Sequence, residues 1–559
     1  MEEIKDKAKT ANAPRAKLLI DEYQVYKGMR SNFESYWQTL HDYFYIEASD
    51  INKSYYPGTE LSVDNLFDST TLESADVLAS GFMNYLTPPT SKWFGLRARN
   101  TAFQGNKKIA KYLEEVAEIV GNTLNGSNFN NQIITSYKSS GVYGTSIQLE
   151  EEDIEDDVRF ISLPIKNVCL KEDSRGKVIG YFIEFEYTAD QAAEKFGAEK
   201  LSDLMKEELR SDKAQVTKHP FLLYIATRYR RDITKSDSIN MPIEAVWIDI
   251  SGKLTIDEGG YHEMPAMCHR FDKRPFIPWG FSPAMKALPF ARLLNAIAKT
   301  NLRSMMKNTD PAIAIPDNAF VMPFNGNPRG VNYYNKNKMQ GGAKDIFSFG
   351  NYGDPKTGMA AVEYYTQQVK AIMYNDTFLA FNQLTKQMNN PEVAERINEK
   401  MTMLGPAVGR YIAEMLNPII IRTIGILSRK GKLPEPPPEF MQDPQFEIDL
   451  ISQLAQSQRR SELNSLMTGL QLVGSMAEIS PEVLHKINTD KVVDTAWDII
   501  GAPQKVLRED EEVADIRESL AQQAQQAQQM AMLEQGGNVV KQGSEVDLNV
   551  AKAQKEGKA

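Results

Sequence analysis

Five histidines are the natural starting point for chemistry: His41, His219, His262, His269 and His485. None falls in a His-Glu-x-x-His pattern, and no G-x-x-x-x-G-K-[ST], G-x-S-x-G or paired Cys-x-x-Cys occurs. Gly341-Gly342-Ala343-Lys344 lacks the strand–helix context of a phosphate loop. The densest candidate for a metal is His262, Cys268 and His269. Neighbours 268 and 269 on a strand point to opposite faces, which suits one ion poorly, so they are expected to be ordinary strand residues. The acidic run Glu150–Asp157 has two readings. One is a solvated, self-repelling hairpin loop. The other is a cation site, although the run lacks the glycine and spacing of an EF-hand loop. No catalytic residue, metal or cofactor is expected.

Two further patterns stand out. Over 289–308 a helix is expected, and Arg292, Lys299, Arg303 and Lys307 fall within about 80° of one another on its wheel. No acidic residue lies between Ser282 and Thr309. This basic stripe either pairs with carboxylates on an adjacent helix or meets phosphate. The other faces hold Leu293, Leu294, Ile297, Leu302, Met305 and Met306, and a helix apolar on several faces is wedged between neighbours. The second pattern is the short polar segment Thr385-Lys386-Gln387-Met388-Asn389-Asn390-Pro391.

The elements that would position these groups can be read from periodicity and punctuation. Apolar residues at three- and four-residue steps predict helices over 16–46, 67–86 and 106–139. Thr87-Pro88-Pro89 ends the second. Ile147–Leu149, Val158–Leu163, Val178–Tyr187 and Phe221–Tyr229 read as strands, with a hairpin turn at Ser174-Arg175-Gly176-Lys177. After the helix at 283–308 comes a Pro-, Gly- and Asn-rich module at 309–360 with short apolar runs at Ala312–Ile315, Phe320–Met322 and Ile346–Phe349. Helix resumes over 361–384. A long helix follows at 391–430, started by Asn390-Pro391 and stopped by Gly431. Gly405-Pro406 and Asn417-Pro418 should kink it. A Pro-rich linker (Leu433–Pro438) leads to helices over 451–535, including a Gln/Ala repeat at 521–529, and then a polar tail.

The chain has 559 residues, a mass of 63.0 kDa and a net charge of −10. At roughly 150 residues each, that is three or four domains' worth of sequence. The acidic balance excludes a bulk basic nucleic-acid binder. Two cysteines, Cys169 and Cys268, exclude a disulfide scaffold and suggest a reducing compartment. No run approaches 18 uninterrupted apolar residues, and the charged N-terminus has no apolar core, so neither a membrane span nor a secretory signal is expected.

Several ordered motifs resemble the portal (head-to-tail connector) proteins of short-tailed, double-stranded DNA bacteriophages. They are Leu66-Phe67-Asp68-Ser69-Thr70 with Ala79-Ser80-Gly81-Phe82, Leu86-Thr87-Pro88-Pro89 and Trp93-Phe94; then Trp279-Gly280-Phe281-Ser282-Pro283 through Pro289, with Leu294-Asn295 and Asp310-Pro311. Leu404-Gly405-Pro406, Glu414-Met415-Leu416-Asn417-Pro418, Gly431-Lys432-Leu433-Pro434 and Leu454-Ala455-Gln456-Ser457-Gln458 follow. Together they span about residues 17–530.

The resemblance implies a mostly helical α+β portal fold and a ring, usually of twelve copies, around a DNA channel. It implies a wing (1–281 and 392–450), stem helices (282–308 and 361–384), a clip (309–360), a tunnel loop (385–391), a crown (451–530) and a flexible or barrel-like tail (531–559). Lys386, Gln387, Met388, Asn389 and Asn390 would face the DNA. The stripe of Arg292, Lys299, Arg303 and Lys307 would border the channel or bridge to the next subunit. The implied partners are further copies of the chain, sequence-independent double-stranded DNA, the large terminase subunit, major capsid and scaffolding proteins and tail adaptors. No membrane is implied. The implied location is the capsid vertex of the virion, and the host cytoplasm during assembly. The alternative is a structural adaptor or scaffold of a phage particle without a channel.

Overall fold

A computed structural model describes residues 2–48, 50–52, 66–100, 103, 106–235, 237–309, 313–314, 333, 335, 337, 347–348, 355–384, 404–451, 453–477, 488–500, 508 and 512–526. The helices are α1 (Glu2–Phe44), α2 (Thr70–Leu86), α3 (Lys107–Gly126), α4 (Phe129–Tyr143), α5 (Ala189–Phe196), α6 (Asp203–Glu208), α7 (Pro283–Thr309), α8 (Pro355–Ile372), α9 (Asn375–Leu384), α10 (Leu404–Arg429), α11 (Gln453–Ala477), α12 (Thr489–Ile500) and α13 (512–526). The strands are β1 (Phe94–Ala98), β2 (Thr145–Glu152), β3 (Val158–Leu163), β4 (Val168–Glu172), β5 (Val178–Thr188), β6 (Lys218–Thr227), β7 (Ile243–Asp249), β8 (Leu254–Tyr261), β9 (Ala266–Arg270), β10 (Asp272–Lys273), β11 (Gly280–Phe281), β12 (Ile313–Ala314), β13 (Phe347–Ser348) and β14 (Phe446–Leu450). The chain is thus mixed helix and strand, consistent with the expected α+β class. It divides into two compact units.

The first unit covers 1–94, 116–434 and 450–454. Strands β4 to β8 form an antiparallel sheet in sequence order, with short turns joining β4 to β5 and β7 to β8 and longer connections between. The β4–β5 turn falls where Ser174–Lys177 predicts it. Gly176 takes φ +76°, and Asp173 accepts from the backbone N–H of Arg175 (2.9 Å) and Lys177 (2.8 Å). Helix α1 lies on this sheet: Tyr23 donates to Glu184 (2.6 Å) and its ring lies 5.9 Å from Phe182. A second sheet, ordered β3-β2-β9, packs against α4 and α10.

Three expectations are corrected here. The helix expected over 106–139 is two helices. The Asn128 side chain donates to the carbonyl of Phe160 and accepts from its N–H, at 2.8 Å each, so the chain is pinned to β3 and must turn. The helix expected over 361–384 begins earlier, at Pro355, and breaks at Tyr374, which takes φ +60°. The acidic run is a hairpin connection with an exposed tip at 154–156, as expected, but it is not left to repel itself. Glu150 is fully buried, Glu152 pairs with Arg429 (3.2 Å), and Asp157 pairs with Lys430 (3.2 Å) and Lys432 (2.7 Å). Cations at the end of α10 neutralise the loop.

Helix α10 is long and apolar enough to cross a membrane by length and composition, but it is a core helix of this unit. Its fully buried Arg422 donates to the carbonyls of Glu150 (3.0 Å) and Glu263 (3.1 Å). The distortion expected at Asn417-Pro418 takes the form of a π turn over Ile412–Leu416, with the Asn417 N–H bonded to Ile412 five residues back. A proline has no N–H to donate, and the extra residue in the turn accommodates it.

The second unit covers 95–115, 435–449 and 455–559. Ala98, Ile109, Leu113 and Phe440 form its core, and Arg97 of β1 pairs with Glu447 (3.5 Å) and Asp449 (3.7 Å) of β14. Arg517 holds Asp490 in a two-pronged pair (2.6 and 2.8 Å), joining α12 to α13.

Candidate nucleic-acid interface

Helices α7 and α8 run antiparallel. Asn301 of α7 faces Gly358 of α8 so closely that a Cβ there would lie 2.6 Å from its Oδ1, and the Phe290 ring sits 6.4 Å from Tyr365. The pairing leaves apolar groups in solvent: Leu302 is 44% exposed, Met306 60% and Tyr364 56%.

The basic stripe lies on this hairpin. Arg292, Arg303 and Lys307 are exposed. Lys299 is half-buried, with its ammonium 4.8 Å from the Phe67 ring centre. Phe67 is fixed there because its N–H donates to Asn295 of α7 at 2.6 Å. Among the described residues, Arg292, Lys299 and Arg303 form no ion pair. The adjacent helix α8 carries a single carboxylate, Glu363. Among the described residues, then, α8 does not satisfy these three charges.

Lys386, Gln387, Met388, Asn389 and Asn390 lie outside the described residues, as do 392–403 and most of 309–360. Of that module, β12 and β13 are described, paired through Ile313–Ser348 and Ala314–Phe347. They coincide with two of the expected apolar runs. The helices on either side of the 385–403 stretch are α9 and α10, and both are moored on α2. Phe82 of α2 lies 5.4 Å from Phe378 of α9 and 6.5 Å from Tyr411 of α10, ring centre to ring centre. Asn375, at the start of α9, is buried. It donates to the carbonyls of Met373 and Ser74 (3.1 Å each) and accepts from Ser74 Oγ (3.0 Å).

The remaining titratable clusters have structural tasks. His269 and Cys268 sit on β9, both buried, with His269 Nδ1 2.7 Å from Ser140 Oγ. Burial holds His269 neutral, with its pKa lowered to about 3. Burial likewise raises both thiols, Cys169 to about 11, so neither is a nucleophile near neutrality. His41, Asp42 and Asp50 come close together, and Gln38 accounts for the gathering. Its amide donates to Asp42 (2.8 Å) and Asp50 (3.2 Å) and accepts from the N–H groups of Ile51 and Asn52. None of these connections is visible in the sequence, because each joins residues whose pairing depends on the tertiary fold.

Residues 16–507 match the family of bacteriophage head to tail connecting proteins. The chain is 28% identical over 543 residues to a probable portal protein of Bordetella phage BPP-1, covering 96% of this chain and 97% of that one. It is 29% identical over 526 residues to the portal protein of Salmonella phage epsilon15, covering 92% of each. The chain belongs to the bacteriophage head-to-tail connecting protein family.

Proposed function

We propose that the chain is a portal subunit: about twelve copies form a ring at one capsid vertex, and the ring is the channel through which double-stranded DNA is packaged and later ejected. The observation that carries this reading is near end-to-end similarity to two phage proteins named as portals. It favours a channel over a non-channel adaptor. The hairpin of α7 and α8 supports it, since exposed Leu302, Met306 and Tyr364 are suited to burial against a further copy. In this reading 282–308 and 361–384 are the stem, 309–360 the clip, 385–391 the channel loop and 451–530 the crown. The work is mechanical and electrostatic, not enzymatic. Terminase docks on the clip during packaging and tail adaptors dock there afterwards, while capsid and scaffolding proteins surround the ring.

A DNA conduit has to hold its cargo loosely. Phosphate attraction is independent of sequence, and each cation is repeated around a ring, so many basic rings would stall the duplex. A chain of net charge −10 with one lysine in a polar loop avoids that outcome. Deleting Lys386–Asn390 should leave rings intact while packaging or retention of DNA falls. Loss of assembly in that variant, with assembly preserved in a matched clip deletion, would contradict the placement of the loop.

The stripe has two roles open to it, and Arg303→Glu separates them. Weakened rings assign it to a bridge between subunits. Intact rings that package poorly assign it to the channel border. Rings that assemble and package as wild type does remove Arg303 from both.

A further inference from the structure

Beyond the channel reading, and resting on its assignment of 385–391 to the DNA-facing loop, we propose that Gly81, Phe82, Phe378 and Tyr411 form a buried positioning hub. It sets the attitude of both helices that flank the loop. Four rings converge on Phe82: Tyr137 of α4 stacks at 5.8 Å and 11°, Tyr411 at 6.5 Å and 24°, Phe378 lies tilted at 5.4 Å, and Phe271 meets it edge-on at 6.0 Å. Two of these rings belong to the helices on either side of the loop. Phe378 lies six residues before the end of α9, and Tyr411 lies seven residues after the start of α10. At 1.5 Å per residue, each helix reaches only about 10 Å from the hub to its described end. Over that distance a helix is stiff, so a tilt at Phe82 displaces both described ends together.

The contact between α2 and α9 leaves no slack. A Cβ on Gly81 would lie 2.3 Å from Phe378 Cγ, well inside contact distance, so only glycine lets the ring seat there. On the α10 side, Tyr411 O–H meets Ser136 Oγ at 2.8 Å, Ser136 Oγ meets Ser146 Oγ at 2.9 Å, and the Tyr411 ring lies 4.2 Å from His269. Polar bonds fix the tyrosine along the helix axis while aromatic contacts fix it across. Close-packed interiors have few alternative arrangements, so such a hub holds one geometry instead of a continuum. Phe82, Phe378 and Tyr411 are all buried, so they act on DNA only through the helices they hold.

The test uses full-length chain carrying Lys386→Cys. Cys169 and Cys268 are buried, so a short bis-maleimide should find little else to label. Adjacent subunits of the assembled ring should cross-link through position 386. Adding Gly81→Ala should leave the subunit number unchanged, lower the cross-link yield at least threefold and, without the cysteine, lower packaged DNA at least tenfold. If Gly81→Ala fails to assemble, Phe378→Leu is the gentler probe, with a smaller loss in the same direction. A parent ring that cross-links, with assembled variants that cross-link and package as the parent does, overturns the hub alone. A parent ring that never cross-links at 386 overturns the loop assignment and the hub with it.

Discussion

At pH 9 the Glu150→Gln protein is expected to be more stable than wild type, by about 2 kcal/mol, and the gap should close toward pH 5. Glu150 is fully buried between β2 and α10, and that burial raises its pKa to about 8. Arg422 and the Thr423 hydroxyl, which donates to Oε1 at 2.9 Å, pull the other way, while Glu263 and Glu152 add to the rise. Between the ordinary carboxyl value and about 8, the folded chain keeps a proton that the unfolded chain gives up. Stability contributed by the neutral acid is therefore present at low pH and lost as pH climbs through that window. At 1.36 kcal/mol per unit, a rise from 4.5 to about 8 bounds the loss at roughly 5 kcal/mol. A glutamine resembles the protonated acid at every pH and escapes the penalty, less whatever its amide loses beside the Arg422 guanidinium. Urea midpoints at pH 5, 7 and 9, at matched oligomeric state, check this. Parallel pH profiles for the two proteins would refute it.

Arg270→Met should cost about 3–5 kcal/mol, because it strands charges that the guanidinium neutralises. Arg270 is buried on β9. Its Nη2 reaches Glu414 Oε1 at 2.5 Å, its own N–H donates to Glu414 Oε2 at 3.0 Å, and Nη1 holds Glu172. Desolvation works against its charge, but the bonds to Glu414 and Glu172 outweigh it and its pKa is raised. Glu414 lies in the π turn of α10 and Glu172 ends β4, so one side chain ties the helix to both sheets. Adding Glu414→Gln to Arg270→Met should recover part of the loss, since the stranded carboxylate is then gone. A loss below about 1 kcal/mol for Arg270→Met would mean that water already screens the cluster, as it does for surface pairs.

Much of this fold is legible in the sequence because much of it is local. Periodicity places α2, α7 and the strands β3 and β5 within a few residues. Proline and glycine mark the hairpin at 174–177 and the distortion near Pro418. What escapes is whatever depends on a distant partner. Asn128 ends a helix only because the backbone of Phe160 is there to receive its amide. Glu150 reads as one acid in a solvated run, and only the arrival of α10 buries it. The mooring of α9 and α10 on Phe82 joins residues 82, 378 and 411, which no spacing rule connects. The charges of the α7 stripe were legible as a stripe. The absence of described ion pairs from Arg292, Lys299 and Arg303 to α8 was not, since it depends on which helix packs alongside.

The central claim is that copies of this chain close into a ring around a lumen wide enough for a DNA duplex. Negative-stain electron microscopy of the purified protein, with native mass measured on the same sample, tests it most directly. The account predicts rings with a central hole of about duplex width and a mass near twelve times 63.0 kDa. Compact monomers that stay monomeric when concentrated, or closed particles without a lumen, would contradict it.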